Sequence, residues 1–208
     1  MHKPATLGRD GRPPDADRRT DDATLIARSR AEPEAFAAIF DRHATGIHRY
    51  AARRLGAGPA EDVVGETFLV AFRRRDRYDL SHRNAAPWLF NIATNMISRH
   101  RQAEVRLYRA LARVGVDPAV ESPADEVVAR VAATGQRRAL AAALARLRAA
   151  DRDTLLLVDW AELTYDQAAL ALGVPVGTVR SRLNRARRKI REALDDINSV
   201  LSEEHRND

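Results

Sequence analysis

The chain has no cysteine. Disulfides and thiolate metal sites are therefore excluded, and sulfur places no constraint on redox compartment. Aromatic residues make up only 5% of the 208 positions, and Gly and Pro are sparse away from the first residues and one internal stretch. Ala, Leu and Arg dominate instead, a composition that points to an all-α chain. No apolar run approaches the ~20 residues that span a bilayer. The first residues lack the apolar segment of a secretory signal, so the expected location is cytoplasmic. Catalytic signatures are missing too. There is no GxxxxGK phosphate loop and no GxSxG elbow. The six histidines are scattered. His43 and His48 fall on different sides of a helix, without an HExxH pattern or a carboxylate partner at ligand spacing. Nothing argues for catalysis, a cofactor or a metal.

What is present is charge of one sign in excess. The formal net charge is +6, with 31% charged residues, a balance that suits a polyanion and would also suit a membrane surface. The length allows one or two small domains with their own cores.

The most informative stretch is Thr164 to Arg191, TYDQAALALGVPVGTVRSRLNRARRKIR. Thr164 and Gln167 have capping-box spacing, which predicts a helix from Tyr165. Ala168, Ala169 and Leu172 form its apolar stripe, and Gly173 supplies a left-handed C-terminal stop. Pro175 predicts the start of a second helix. Two helices joined by a short Gly-containing turn form a helix-turn-helix. On the second, Val179, Leu183, Ala186, Ile190 and Leu194 recur at helical spacing and should pack inward. Gly177, Ser181, Asn184, Arg185 and Arg188 fall opposite, with Arg180 on the flank. Arg180 to Arg191 holds seven basic residues and no acidic one. Such a helix fits the major groove, its N-terminal residues at base edges and its outer arginines at phosphates. A solvated basic helix is the plainer reading of an isolated arginine run. The capped helix and glycine turn directly upstream favour DNA.

Along the rest of the chain, Met1 to about Arg19 has Pro, Gly and mixed charge without apolar period, and a disordered tail is expected over 1–20. Asp21 and Asp22 can cap a short helix through Arg30. Pro33 starts another, with Phe36, Ile39, Phe40, Ile47, Tyr50, Ala51 and Leu55 as its buried stripe and Gly56 as its end. Gly58-Pro59 opens a third helix, on which Asp62 and Glu66 share a face at i and i+4. Pro87 begins a short helix with Trp88, Leu89, Phe90 and Ile92. Asn91, Thr94 and Asn95 are expected to interrupt it, and a longer helix should run from about Asn95 with Arg99 and His100 outside. Amides between an aromatic helix and a basic one could receive an unstacked base; core packing for Trp88 and capping for the asparagines are the alternatives. Gly115 to Glu126 has Pro and acidic residues and no basic one, which predicts a linker. The expected division is a helical domain over 21–106, a linker over 107–133, a helix-turn-helix domain over 134–198 and a frayed tail over 199–208.

These segments resemble a family. LTYDQAALAL followed by GVPVGTVRSRLNRAR closely resembles region 4 of the extracytoplasmic-function (ECF) sigma factors, bacterial initiation subunits of RNA polymerase. EAFAAIFDRHATGIHRYAARRL and AEDVVGETFLVAFRR resemble the core-gripping parts of region 2, and APWLFNIATNMISRHRQ the part that melts and reads the −10 element. The resemblance covers about Leu25 to Gln102 and Gln136 to Leu194. It implies an all-α, two-domain protein that binds core RNA polymerase and promoter DNA, without a membrane; the family often has an anti-sigma protein as well. Carried across by motif, Asp62 and Glu66 would face the clamp helices of the largest core subunit. Trp88, Asn91, Asn95, Arg99 and His100 would serve the −10 element, with Asn95 in a loop that takes a flipped base. Gly177, Thr178, Arg180, Ser181, Asn184, Arg185 and Arg188 would serve the −35 element. Gly65 departs from the pattern where a helix-favouring polar residue such as Gln is expected.

Two other functions fit parts of the sequence. A stand-alone helix-turn-helix regulator would bind an operator by itself, but a sensor domain is lacking. A small recombinase would need an activated nucleophile, and none is evident.

Overall fold

The computed structural model describes residues 20–113 and 124–204, with side chains in the second stretch described for 134–195. The expected tail before Thr20 and most of the Gly115–Glu126 linker lie outside the described residues. Everything regular among the described residues is helical.

The first half begins with α1 (Asp22–Ser29). Asp21 caps it, accepting the Thr24 N–H at 2.9 Å, and Leu25 and Ile26 are fully buried. Asp22 is itself buried. It pairs with Arg42, lies 2.8 Å from His43 Nε2 and accepts the Ala85 N–H at 2.7 Å. Burial pushes its carboxyl up, but His43, the Ala85 amide and Arg42 outweigh burial and hold it below the ordinary carboxylate value. One side chain thus ties three segments together.

Pro33 starts a 3-10 turn, Pro33–Phe36, that runs into α2 (Ala37–Leu55). Gly56 ends α2 at φ 89°, a conformation that favours glycine. Next come α3 (Ala57–Arg74), α4 (Ala86–Arg99) and α5 (Arg101–Leu111). Ile39, Ile47, Tyr50, Phe68, Leu89 and Ile97 fill the core between them.

Two expectations fail here. Phe40, expected in the buried stripe, is 44% exposed. Ile39 beside it already faces the core, and one helical step turns Phe40 outward, where its ring meets Phe68 edge-on at 4.8 Å. The expected interruption at Asn91–Asn95 is also absent: α4 runs unbroken from Ala86 to Arg99, and the break between α4 and α5 falls at His100. Leu89, Phe90, Ile92, Ala93, Met96 and Ile97 bury one continuous stripe of α4. Their packing overrides the modest helix cost of asparagine.

The second half holds α6 (Ala124–Arg146), α7 (Ala149–Asp159), α8 (Tyr165–Leu172) and α9 (Val176–Glu204). The capping box forms as spaced: Gln167 N–H donates to Thr164 Oγ1 at 3.2 Å and Thr164 N–H to Gln167 Oε1 at 2.9 Å. Gly173 takes φ 61° and stops α8. The Pro175 carbonyl accepts from Thr178 and Val179, so α9 starts one residue later than expected. Leu144, Leu147, Leu155, Leu156, Val179 and Leu183 form the core of this half. Helix α5 runs past the expected limit at 106, α6 begins inside the expected linker, and α9 continues through 199–204. The two halves also touch, α5 along α6 and α4 against α8.

Candidate nucleic-acid interface

Helix α9 is two-faced. Val179, Leu183 and Ala186 are buried, Ile190 and Leu194 half-buried. Gly177, Arg180, Ser181, Asn184, Arg185 and Arg188 are exposed, and Thr178 is half-buried. No neighbouring atom lies within 4 Å of where a Cβ on Gly177 would stand, so the backbone at the start of the helix is bare. Ser181 Oγ donates to the Thr178 carbonyl at 3.0 Å.

The arginines of this face are not equivalent. Arg185 directs its guanidinium fork at Asp151, the buried acid in the first turn of α7, with Nη2 at 2.9 Å from Oδ1 and Nε at 3.5 Å from Oδ2. The Asp151 hydrogen bond and charge raise the guanidinium pKa above its ordinary value. Arg187 pairs the same way with Asp159, at 2.5 and 3.3 Å. Arg188 has only a loose contact with Glu192 one turn on, at 3.7 Å. A base-edge contact from Arg185 therefore has to replace the Asp151 pair.

On the first half, Trp88 is half-buried with its ring 4.9 Å from that of Tyr78. Asn91 is half-buried and Asn95 exposed, one turn apart, joined by Asn95 Nδ2 to Asn91 Oδ1 at 3.2 Å. Arg99 and His100 are exposed at the C-terminal end of α4. Asn91, Asn95 and Arg99 line one groove between α3 and α4, while Trp88 lines a second with Asn91, Gln167 and Leu170. Asn95 thus stands on a helix face and not in the loop the resemblance implied.

Sequence reasoning separated Glu66 from the asparagines, but Glu66 lines the same groove as Asn95. It also passed over Arg73 and Arg74 of α3, which border that groove. The Arg73–Arg75 run at the end of a helix was the available signal. Asp62 and Glu66 are both exposed on one face of α3.

Residues 39–115 match the family model described as "Sigma-70 region 2", and residues 137–190 match "Sigma-70, region 4". The ECF RNA polymerase sigma factor SigL of Mycobacterium tuberculosis is 34% identical over 176 residues, 84% of this chain and 97% of that protein. The chain belongs to the ECF RNA polymerase sigma factors. SigW of Bacillus subtilis, another ECF sigma factor, is 29% identical and aligns over 81% of this chain and 93% of its own length. Among solved structures, CnrH in complex with the cytosolic domain of CnrY has TM-score 0.58 and 26% identity, covering 84% of this chain and 97% of CnrH. The all-α architecture with region 2 and region 4 units is that of the family. An ECF sigma factor is a non-enzymatic transcription initiation factor. Among the described residues no helix is long and apolar enough to cross a membrane.

Proposed function

We propose that this ECF sigma factor docks on core RNA polymerase through the α3 face holding Asp62 and Glu66, reads the −35 element with α9, and captures unpaired −10 bases with α4. The observation that carries the reading is the ordered pair of matches, region 2 then region 4, together with the exposed basic face of α9 opposite the buried Val179–Leu183–Ala186 stripe. In α9, Ser181, Asn184 and Arg185 are the base-edge candidates, Arg180 and Arg188 the phosphate contacts, and Gly177 and Thr178 bring backbone close to the duplex. On α4, Asn91 and Asn95 present amides that match a base edge. Trp88, Arg99 and His100 supply a ring and positive charge beside them. Arg73 and Arg74 add charge on the opposite wall. The proposed division is region 2 over 21–106, a connector over 107–133 and region 4 over 134–198.

The solved relative CnrH is held by a cytosolic protein domain, which supports an anti-sigma partner for this chain as well. The test is affinity purification of the full chain from a bacterial lysate. Core polymerase subunits should co-purify in equimolar amount. Operator binding by the protein alone, with no polymerase subunit retained, would favour an ordinary helix-turn-helix regulator.

A further inference from the structure

A buried set of charges holds the two halves together. Arg54, near the end of α2, donates from Nε to Glu104 Oε1 at 2.7 Å and from Nη2 to Asp153 Oδ1 at 2.5 Å. Arg152 donates from Nη2 to Glu104 Oε2 at 2.9 Å. Exposure is 1% for Arg54 and Glu104, 2% for Arg152 and 8% for Asp153. Arg54 and Glu104 belong to the first half, Arg152 and Asp153 to the second, so the Arg54–Asp153 and Arg152–Glu104 pairs both cross between them. The two positive and two negative charges cancel, which makes burial tolerable while the set is complete. Loss of one member strands a buried charge. At the edge of the same contact the Arg53 guanidinium lies 5.3 Å from the centre of the Trp160 ring.

Closure has a consequence for the DNA surface. Asn91 Nδ2 donates to the Ala171 carbonyl at 2.5 Å. The amide proposed to meet a −10 base is therefore taken by the backbone of α8. The elements at −10 and −35 lie about 25 base pairs apart, or ~85 Å at 3.4 Å per step. From Ala171 to Arg188 the chain reaches at most about 30 Å, a short turn and a few turns of helix. One closed molecule cannot touch both elements.

From these contacts we infer that Arg54, Glu104, Arg152 and Asp153 form an intramolecular latch that keeps the free protein closed with part of its −10 surface covered. Engagement of a promoter requires the latch to part. Opening returns all four charges to water, and their recovered hydration offsets the lost attraction. The joint is thereby suited to be reversible. The role given to the covered surface rests on the sigma-factor reading above; the latch itself does not.

Because the chain has no cysteine, the exposed pair Glu34→Cys and Arg146→Cys can carry a donor and an acceptor dye on the full-length protein. Single-molecule energy transfer should show a dominant high-transfer population, with about one molecule in ten at low transfer. Asp153→Asn should convert a substantial share to low transfer with helical circular dichroism retained. Arg53→Glu, an exposed change at the edge of the contact, should do the same to a smaller extent and decides the matter if Asp153→Asn does not fold. A labelled single-stranded DNA 20-mer of mixed sequence should bind Asp153→Asn about tenfold more tightly, the factor expected if about one free wild-type molecule in ten is open. A free wild-type protein already at low transfer would overturn the latch. So would folded variants that stay closed; opened variants with unchanged DNA affinity would instead overturn the covering of a −10 surface. Failure to bind core polymerase would sink the sigma-factor reading and leave the energy-transfer result standing.

Discussion

Truncating Leu183 and truncating Arg185 should have opposite consequences, although the two residues are two positions apart on α9. Leu183 is 1% exposed, so Leu183→Ala leaves a cavity and should cost about 2–5 kcal/mol. For a domain of this size each kcal/mol moves the melting temperature by about 4–8 °C, which predicts a drop of at least ~8 °C. Arg185 is different. Its side chain is 44% exposed, but that of its partner Asp151 is only 4% exposed. Truncating Arg185 leaves this carboxylate buried without its cation and should itself cost about 1–3 kcal/mol. On DNA the order reverses. The planar Arg185 fork matches guanine O6 and N7, so Arg185→Ala should lose about 1–3 kcal/mol at one promoter position and relax preference there. Arg188, with its loose and exposed Glu192 contact, is the control: Arg188→Ala should weaken all sequences alike and lower the salt slope by about one. The assay is a promoter-library selection with polymerase carrying each variant, paired with thermal melts. The assignment of faces is refuted if Arg185→Ala weakens every sequence equally, or if Leu183→Ala changes base preference without lowering the melting temperature.

Reversing Asp62 and Glu66 together to Lys should weaken binding to core polymerase with helix content intact; unchanged capture at moderate salt would remove this face from the interface. Asn95→Ala should slow open-complex formation on a duplex promoter more than on a premelted bubble, and equal loss on both templates would count against a strand-opening role. Gly65→Ala should stabilise the protein by about 0.5–1 kcal/mol in denaturant melts, because the position is helical and no atom lies within 4 Å of an added Cβ; a loss of stability would show that the site is constrained in some other way.

Local chemistry was legible in the sequence and distant chemistry was not. The helix-turn-helix could be read because each of its signals acts within a few residues: Thr164 on Gln167, Gly173 on its own φ, Pro175 on the next turn. The two faces of α9 followed from a period that tertiary packing reinforces. Asn91 and Asn95 misled for the complementary reason. Their side chains suggested a break, but the buried stripe on the other side of α4 decides the backbone there. The latch was out of reach altogether, since Arg54 and Asp153 lie 99 positions apart and a lone Arg at the end of a basic helix looks like a solvated one. The Asp151 clamp on Arg185 was hidden in the same way, 34 positions away.

The central claim is promoter-directed initiation, and run-off transcription tests it most directly. Core RNA polymerase, the purified chain and a library of genomic fragments from the same source are combined, and the transcript 5′ ends are mapped. The account predicts discrete start sites that depend on the added chain, share paired upstream elements, and weaken with Arg185→Ala and Asn95→Ala. Transcripts identical with and without the chain would contradict it.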